Sequence, residues 1–166
     1  MCIRDRNKGE KNLIDWMRLL TEDCSGILHE SPFSFSENCT IGCGGSARAA
    51  FFPANIAEML LLVDFFKREG VKFAVLGNMS NVLPADGMFE GALIFTKRLK
   101  SVGIGQTVFA LAGVKAKAFL DSCERHGKSG AEFLAGIPCT IGGAVFMNAG
   151  AVSYTHLRAH ETELHL

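Results

Sequence analysis

The chain has 166 residues, enough for one ordinary domain or two small ones. Apolar residues make up 48% of it and the formal net charge is +0. A core is therefore affordable, and no charge excess points to nucleic acid or an anionic membrane surface. The densest apolar run, Met59 to Phe66, is interrupted by Asp64 and is too short to span a bilayer.

The N-terminus lacks the continuous apolar region of a secretory signal. The six cysteines are Cys2, Cys24, Cys39, Cys43, Cys123 and Cys139. They form no Cys-x-x-Cys pair, and no histidine stands at metal-ligand spacing from them. Reduced thiols and a cytoplasmic location are expected, with no metal site.

Both ends differ from what lies between them. Residues 1–6 carry no recognisable pattern. Residues 152–166 hold the one tyrosine and three of the five histidines. Both stretches resemble translated adapter readthrough and are set aside from the fold. Residues 7–33 read as an N-terminal helix and lead-in, with Leu13, Met17 and Leu20 on one helical face.

Residues 34–47 read as an entry turn to a first strand over residues 49–52, closed by Pro53. Asn55 is then an N-cap, and Glu58 three residues on approximates a capping box. Ile56, Met59, Leu60, Val63 and Phe66 follow at helical spacing as a core stripe. Gly70 stops the helix. Residues 71–76 make a buried strand, which completes a strand–helix–strand unit. The turn Leu76 to Leu83 follows at that strand's carboxyl end, where open α/β sheets bind ligands.

Asp86-Gly87 is a turn and residues 92–96 a strand. Lys97, Arg98 and Lys100 read as a solvated face. Residues 107–112 read as the first strand of a second unit, and Gly113 leads a helix over residues 114–126. That helix carries Ala116, Phe119, Leu120 and Cys123 inward and ends at Gly127. Glu132 is a carboxylate suited to ordering its loop by accepting backbone hydrogen bonds.

The stretch Gly130 to Ala151 holds Gly130, Gly136, Gly142, Gly143 and Gly150. No charged side chain occurs from Phe133 to Leu157, but Pro138 and the glycines make a membrane helix a poor reading. Two readings fit the composition. One is a buried loop whose N–H groups face a phosphate; the other is a tight packed turn with no ligand. No Gly-x-Gly-x-x-Gly opens a helix after a strand, which disfavours a Rossmann site.

The string Glu-Phe-Leu-Ala-Gly-Ile-Pro-x-Thr-Ile-Gly-Gly-Ala-Val-x-Met-Asn-Ala-Gly-Ala resembles the flavin-binding signature of the UDP-N-acetylenolpyruvoylglucosamine reductase family. Two upstream stretches resemble the same family in the same order. In the first, Gly44, Gly45 and Ala47 agree, and Ser46 stands where proline is usual. In the second, Leu76 to Leu83 matches Leu-Gly-x-Gly-Ser-Asn-Leu-Leu, with Met79 in place of the central glycine. Cys139 likewise replaces a glycine. The resemblance covers about residues 30–151.

The resemblance implies an α+β, FAD-binding PCMH-type (vanillyl-alcohol-oxidase-like) fold of two α+β subdomains. These would occupy residues 34–100 and 101–151, the second truncated. It implies non-covalent FAD, held by Gly77, Asn78, Met79, Ser80, Asn81 and Val82 in one loop and by Gly113. The other loop would contribute Gly136, Ile137, Pro138, Cys139, Thr140, Ile141, Gly142, Gly143, Ala144 and Asn148. The two loops are expected to converge on one groove. NADPH would be the reductant and UDP-N-acetylglucosamine enolpyruvate the substrate of the full-length enzyme, in peptidoglycan synthesis. The family's catalytic serine, glutamate and arginine fall after the Asn-Ala-Gly-Ala string, so no catalytic residue is assigned here, and no protein partner is inferred. An oxidase of the same fold with another substrate, and a non-catalytic flavin-binding remnant, remain as alternatives.

Overall fold

The computed structural model describes residues 26–149. The expected N-terminal helix around residues 11–20 and both tails lie outside the described residues. The chain builds a first lobe on a five-stranded sheet and a second lobe on a short hairpin and two helices.

The first sheet has β1 (Leu28–Glu30), β2 (Phe33–Ser34), β3 (Ser46–Phe52), β4 (Phe73–Leu76) and β5 (Met88–Phe95). A four-residue helix, α1 (Phe35–Asn38), follows β2. β1 and β2 both run antiparallel along one edge of β3, with Leu28 opposite Phe52 and Phe33 opposite Ala47. β3 and β4 both run parallel to β5, which lies between them. The expected strand–helix–strand unit is therefore a crossover from β3 to β4 that skips one position. β1 and β2 had no counterpart in the sequence reading, because strands of two or three residues carry no readable alternation.

The crossover helix α2 (Ile56–Glu69) has the caps its sequence announces. Asn55 Oδ1 accepts from Glu58 N–H at 2.9 Å, and Glu58 Oε2 accepts from Ala54 N–H at 2.7 Å. The reciprocal bonds satisfy donors that the first turn leaves free. Gly70, in the left-handed region, closes the helix, and Val71 N–H reaches back to Phe66 O at 2.8 Å. Residues 71–72 thus belong to the helix stop, and the strand begins only at Phe73.

The buried face of α2 is rotated from the one expected. Leu62, Phe65 and Phe66 are buried, with Met59 and Val63 packed beside them. Ile56 and Leu60 are 53% and 63% exposed. The helix is apolar around most of its circumference, so spacing alone does not select a face; contact with the sheet does. Leu62 and Phe66, both fully buried, each contribute about 1.5–3 kcal/mol of transfer free energy. Val75 is 47% exposed, contrary to a fully buried strand, because β4 is the sheet's edge.

The sheet separates two cores. Ala49, Phe51, Ala92 and Ile94 meet α2. Ala50, Phe52, Leu93 and Phe95 face the other side, where Phe33, Phe35, Cys39 and Met79 complete a second cluster. Ala47 joins the second cluster because the register shifts between Ala47 and Ala49, which changes the side-chain parity. Phe52 stacks on Phe95 at 5.2 Å, and the Lys97 ammonium sits 4.4 Å from the Phe52 ring centre. Lys97 and Arg98 are exposed, as expected, though Arg98 also donates to Phe52 O at 3.0 Å.

A 3-10 turn (Thr96–Arg98) leads to the second lobe. Its hairpin pairs β6 (Val102–Ile104) with β7 (Val108–Ala110). β6 had no counterpart in the sequence reading, since three residues that include Gly103 give little strand signal. α3 (Ala116–Arg125) follows, shorter at both ends than expected, with Ala116 and Cys123 buried. The lobe closes on a second 3-10 turn (Glu132–Leu134) and α4 (Ile141–Met147) around Ala116, Leu134 and Ala144. Among the described residues no helix is long and apolar enough to cross a membrane.

Candidate functional site

The turn after β4 and the start of α4 come together although they lie in different lobes. A Cβ built on Gly77 would lie 3.2 Å from Thr140 Oγ1. Four residues on, Asn81 Nδ2 donates to the Met147 sulfur at 3.3 Å. Thr96 Oγ1 donates to Leu76 O at 3.3 Å, which holds the end of β4 against the lobe junction. The two glycine-containing stretches singled out in the sequence thus abut.

The two stretches present different surfaces. From Asn78 to Asn81, none of the backbone N–H groups donates to a carbonyl among the described residues. The Ser80 hydroxyl is equally uncommitted there. Asn78, Ser80 and Asn81 are exposed, whereas Met79 is buried. Met79 has φ 54°, so a residue in the left-handed region sits in the middle of a row of N–H groups without carbonyl partners among the described residues. Left-handed residues are one ingredient of the backbone nests that hold anions.

The second stretch departs from the expected loop. Residues 141–147 are helical, with Thr140 as N-cap accepting from Gly143 N–H at 3.2 Å. Asn148, φ 50°, closes the helix. The sequence signal was a threonine cap with a left-handed asparagine stop, masked by Gly142 and Gly143, which lower helix propensity. The first-turn donors are committed inside the protein. Ile141 N–H reaches Val114 O at 2.8 Å, and Gly142 N–H reaches Ala112 O at 2.9 Å. Ala144 N–H reaches Thr140 O at 2.8 Å. The expectation that this stretch turns its N–H groups to a ligand is therefore corrected for residues 141–144. Among the described residues, the Asn78–Asn81 N–H groups lack carbonyl partners, whereas those of Ile141, Gly142 and Ala144 have them.

The remaining predicted site residues fall as follows. Gly113 is buried, and a Cβ there would lie 2.1 Å from Thr96 O. Its N–H donates to Leu99 O at 2.9 Å, so glycine is required where the second lobe crosses the 3-10 turn. Val82 packs partly against the second core. Gly136 and Pro138 are exposed and Ile137 half-buried, with Ile137 N–H on Leu134 O at 3.2 Å. Cys139 O accepts from Ala116 N–H at 2.9 Å. Burial pushes the Cys139 thiol above the ordinary cysteine value, against a smaller lowering by a backbone hydrogen bond. A thiol held protonated is a weak nucleophile, which fits a non-covalent cofactor better than a tethered one.

Glu132 Oε2 accepts from Gly130 N–H at 2.8 Å, the loop-ordering role its position suggested. Sequence reasoning missed three supporting residues: Thr96, Met147 and Cys39. Cys39 Sγ lies 3.7 Å from Met79 O and 3.4 Å from Val82 O, beneath the donor turn. No local pattern marks any of them, since each acts on a residue distant in sequence. Among the described residues no cluster of His, Cys, Asp and Glu is placed to hold a metal.

The FAD binding domain family matches residues 47–164, well over half of the chain and past the boundary drawn at Ala151. The chain is 44% identical over 109 residues to the UDP-N-acetylenolpyruvoylglucosamine reductase of Streptococcus suis (strain 05ZYH33), over 65% of its own length. It is 40% identical over 109 residues, again 65% of its length, to the enzyme of the same name from Limosilactobacillus fermentum. Both matches span 36% of the relative's length, so the chain corresponds to about a third of either protein. Among solved structures it resembles the UDP-N-acetylenolpyruvylglucosamine reductase (MurB) of Thermus caldophilus, with TM-score 0.59 and 27% identity, over 76% of this chain and 44% of that one. It also resembles a solvent-stable cholesterol oxidase, with TM-score 0.58 and 20% identity, over 76% of this chain and 25% of that one. The second likeness bears on the fold alone.

Proposed function

Because the chain belongs to the FAD binding domain family, we propose that it is the N-terminal, FAD-binding part of an NADPH-dependent flavoenzyme. That enzyme reduces UDP-N-acetylglucosamine enolpyruvate to UDP-N-acetylmuramate for peptidoglycan synthesis in the cytoplasm. The observation that carries the reading is the turn Asn78 to Asn81, whose N–H groups have no carbonyl partner among the described residues, set against α4 near Gly77 and Thr140. The names of the relatives supply the substrate; the turn supplies the reason a dinucleotide diphosphate suits this chain.

The residues present fit the cofactor. A diphosphate needs several converging donors, and the turn offers consecutive N–H groups and the Ser80 hydroxyl. It carries no cationic side chain, so the oxygens are held by dipoles rather than by ion pairs. FAD, when bound, supplies hydride transfer, while the protein supplies position and field. Within this chain, Ser80 and its neighbours bind the diphosphate and Thr140 fixes the wall opposite Gly77. Thr96 holds the β4 end from which the turn departs.

Protonation of the substrate carbon and stabilisation of the charge beside it need an acid and hydrogen-bond or cationic donors. The turn offers hydrogen-bond donors, but among the described residues of this site there is no carboxyl, imidazole or cationic side chain to serve as the acid or as a cationic donor. The 166-residue chain should therefore bind FAD reversibly yet show no substrate-dependent NADPH oxidation. The test is flavin fluorescence titration, followed by NADPH oxidation assays with and without the enolpyruvyl sugar nucleotide, on this chain and on the uninterrupted gene product. Failure of the chain to bind FAD, or of the full-length protein to turn over that substrate, would reject the reading.

A further inference from the structure

Met79 raises a question that the cofactor reading leaves open. It stands where the resembling family has glycine, and its φ of 54° is disfavoured for a side chain of its kind. Yet the side chain is only 4% exposed, packed in the cluster that contains Phe33, Phe35 and Phe95. Its neighbours Asn78, Ser80 and Asn81 are exposed. One residue of the donor turn therefore points into the sheet core while those around it face outward.

Cys39 acts on the same turn from the same side. It is 7% exposed, belongs to the same cluster, and its single thiol proton is shared between Val82 O at 3.4 Å and, more weakly, Met79 O at 3.7 Å. In a trans peptide unit the N–H points opposite to the C=O. A Met79 carbonyl that faces inward toward Cys39 thus puts the Ser80 N–H on the outward side. The side-chain anchor and the inward carbonyl fix the turn from beneath at two independent points.

We propose that Met79 is a positioning residue that, seated with Cys39 in the core, holds the Asn78–Asn81 donors in their diphosphate-receiving array before any dinucleotide binds. The proposal rests on the cofactor reading above. Glycine at this position explores many conformations, so the array would have to be ordered on binding, at a cost in affinity. With Met79 that ordering is complete on folding. A residue that breaks a local backbone preference is here kept in place by burial.

The experiment uses the whole chain with FAD as probe and three variants: Met79→Gly, Met79→Leu and Cys39→Ala. Affinity is read by flavin fluorescence, and loop rigidity in the absence of FAD by backbone amide order parameters. The parent should show order parameters near ~0.85 at residues 78–81. Met79→Gly should fall below ~0.6 at those residues alone and bind FAD about ten-fold more weakly. Met79→Leu should keep both properties, and Cys39→Ala should lie between. Thermal melts verify that each variant is folded. A Met79→Gly protein as rigid in the turn as the parent, and binding FAD as tightly, overturns the proposal and leaves the cofactor reading standing. A parent chain with a rigid turn and no affinity for FAD removes both.

Discussion

Gly77 and Thr140 meet where the two lobes join: a Cβ on Gly77 would lie 3.2 Å from the Thr140 hydroxyl oxygen. The same oxygen accepts from Gly143 N–H at 3.2 Å, and Thr140 is 4% exposed. One buried hydroxyl therefore caps α4 and occupies the space that a side chain at position 77 would need. The close approach of the two lobes here is compatible with glycine at 77 and tight for any larger residue.

Enlarging Gly77 should open that junction. Gly77→Ala places a methyl group at 3.2 Å from Thr140 Oγ1, a contact that a shift of a few tenths of an ångström relieves. Gly77→Val adds two further carbons that have no such relief. We expect FAD affinity to fall by at least ~10-fold in Gly77→Val, equivalent to about 1.4 kcal/mol, and by less in Gly77→Ala. Fluorescence titration of the two variants measures this. Equal affinity in all three proteins would mean that the junction does not define the site.

Thr140→Val should cost about 1 kcal/mol of stability through loss of the α4 cap, whereas Thr140→Ser should cost a few tenths. Asn55→Ala removes the equivalent cap of α2, where Asn55 Oδ1 accepts from Glu58 N–H at 2.9 Å. It should cost a comparable ~1 kcal/mol. The two caps differ in their reach: only the Thr140 change should weaken FAD binding, because α2 lies away from the donor turn. Urea denaturation and flavin titration, run in parallel, separate the effects. Weakened binding in Asn55→Ala would argue against a local role for Thr140.

Cys139 gives a pH dependence with a definite sign. Burial raises its thiol above the ordinary value of 9.0. Between the unfolded and the folded pKa the folded protein holds the proton more tightly, so the folded state binds more protons there. The contribution is fully present below the unfolded pKa and is lost as pH rises through the folded one. Stability should therefore decline in alkaline solution above about pH 9 by a component that Cys139→Ser removes. Denaturation midpoints of parent and variant across that range test it. The same variant should release all its flavin on acid precipitation, as the parent does; colour retained in the parent pellet and lost in Cys139→Ser would mean a covalent bond.

Much of the first lobe was legible in the sequence. The α2 caps rest on Asn55, Glu58 and Gly70, and a cap is a local device whose partners lie within a turn of one another. The strand before the helix, the strand after it and the position of a turn at Gly77 followed from the same short-range patterns. That Met79 stands at a glycine position of an ordered motif was readable; that it takes φ 54° came from the structure. The FAD-binding family itself was legible, since it is carried by long strings of identical residue order rather than by geometry.

Tertiary structure decided the rest. Periodicity in α2 gave a stripe of which Phe66 is buried with Met59 and Val63 beside it, and only packing on the sheet chose Leu62 and Phe65 over Ile56 and Leu60. Insertion of β5 between β3 and β4 left Val75 on an edge, a fact about strand order that no window of sequence contains. The glycines at 142 and 143 hid a helix whose first-turn donors are consumed by Ala112 and Val114, residues of the segment between β7 and α3. Whether an N–H group is free for a ligand depends on which distant carbonyl reaches it first, and that is settled only when the lobes close. The chain's own order thus specified the caps of α2, the turns beside it and the family. The burial of Met79, the inward pull of Cys39 and the contact of Gly77 with Thr140 came from bringing together residues that are remote in sequence.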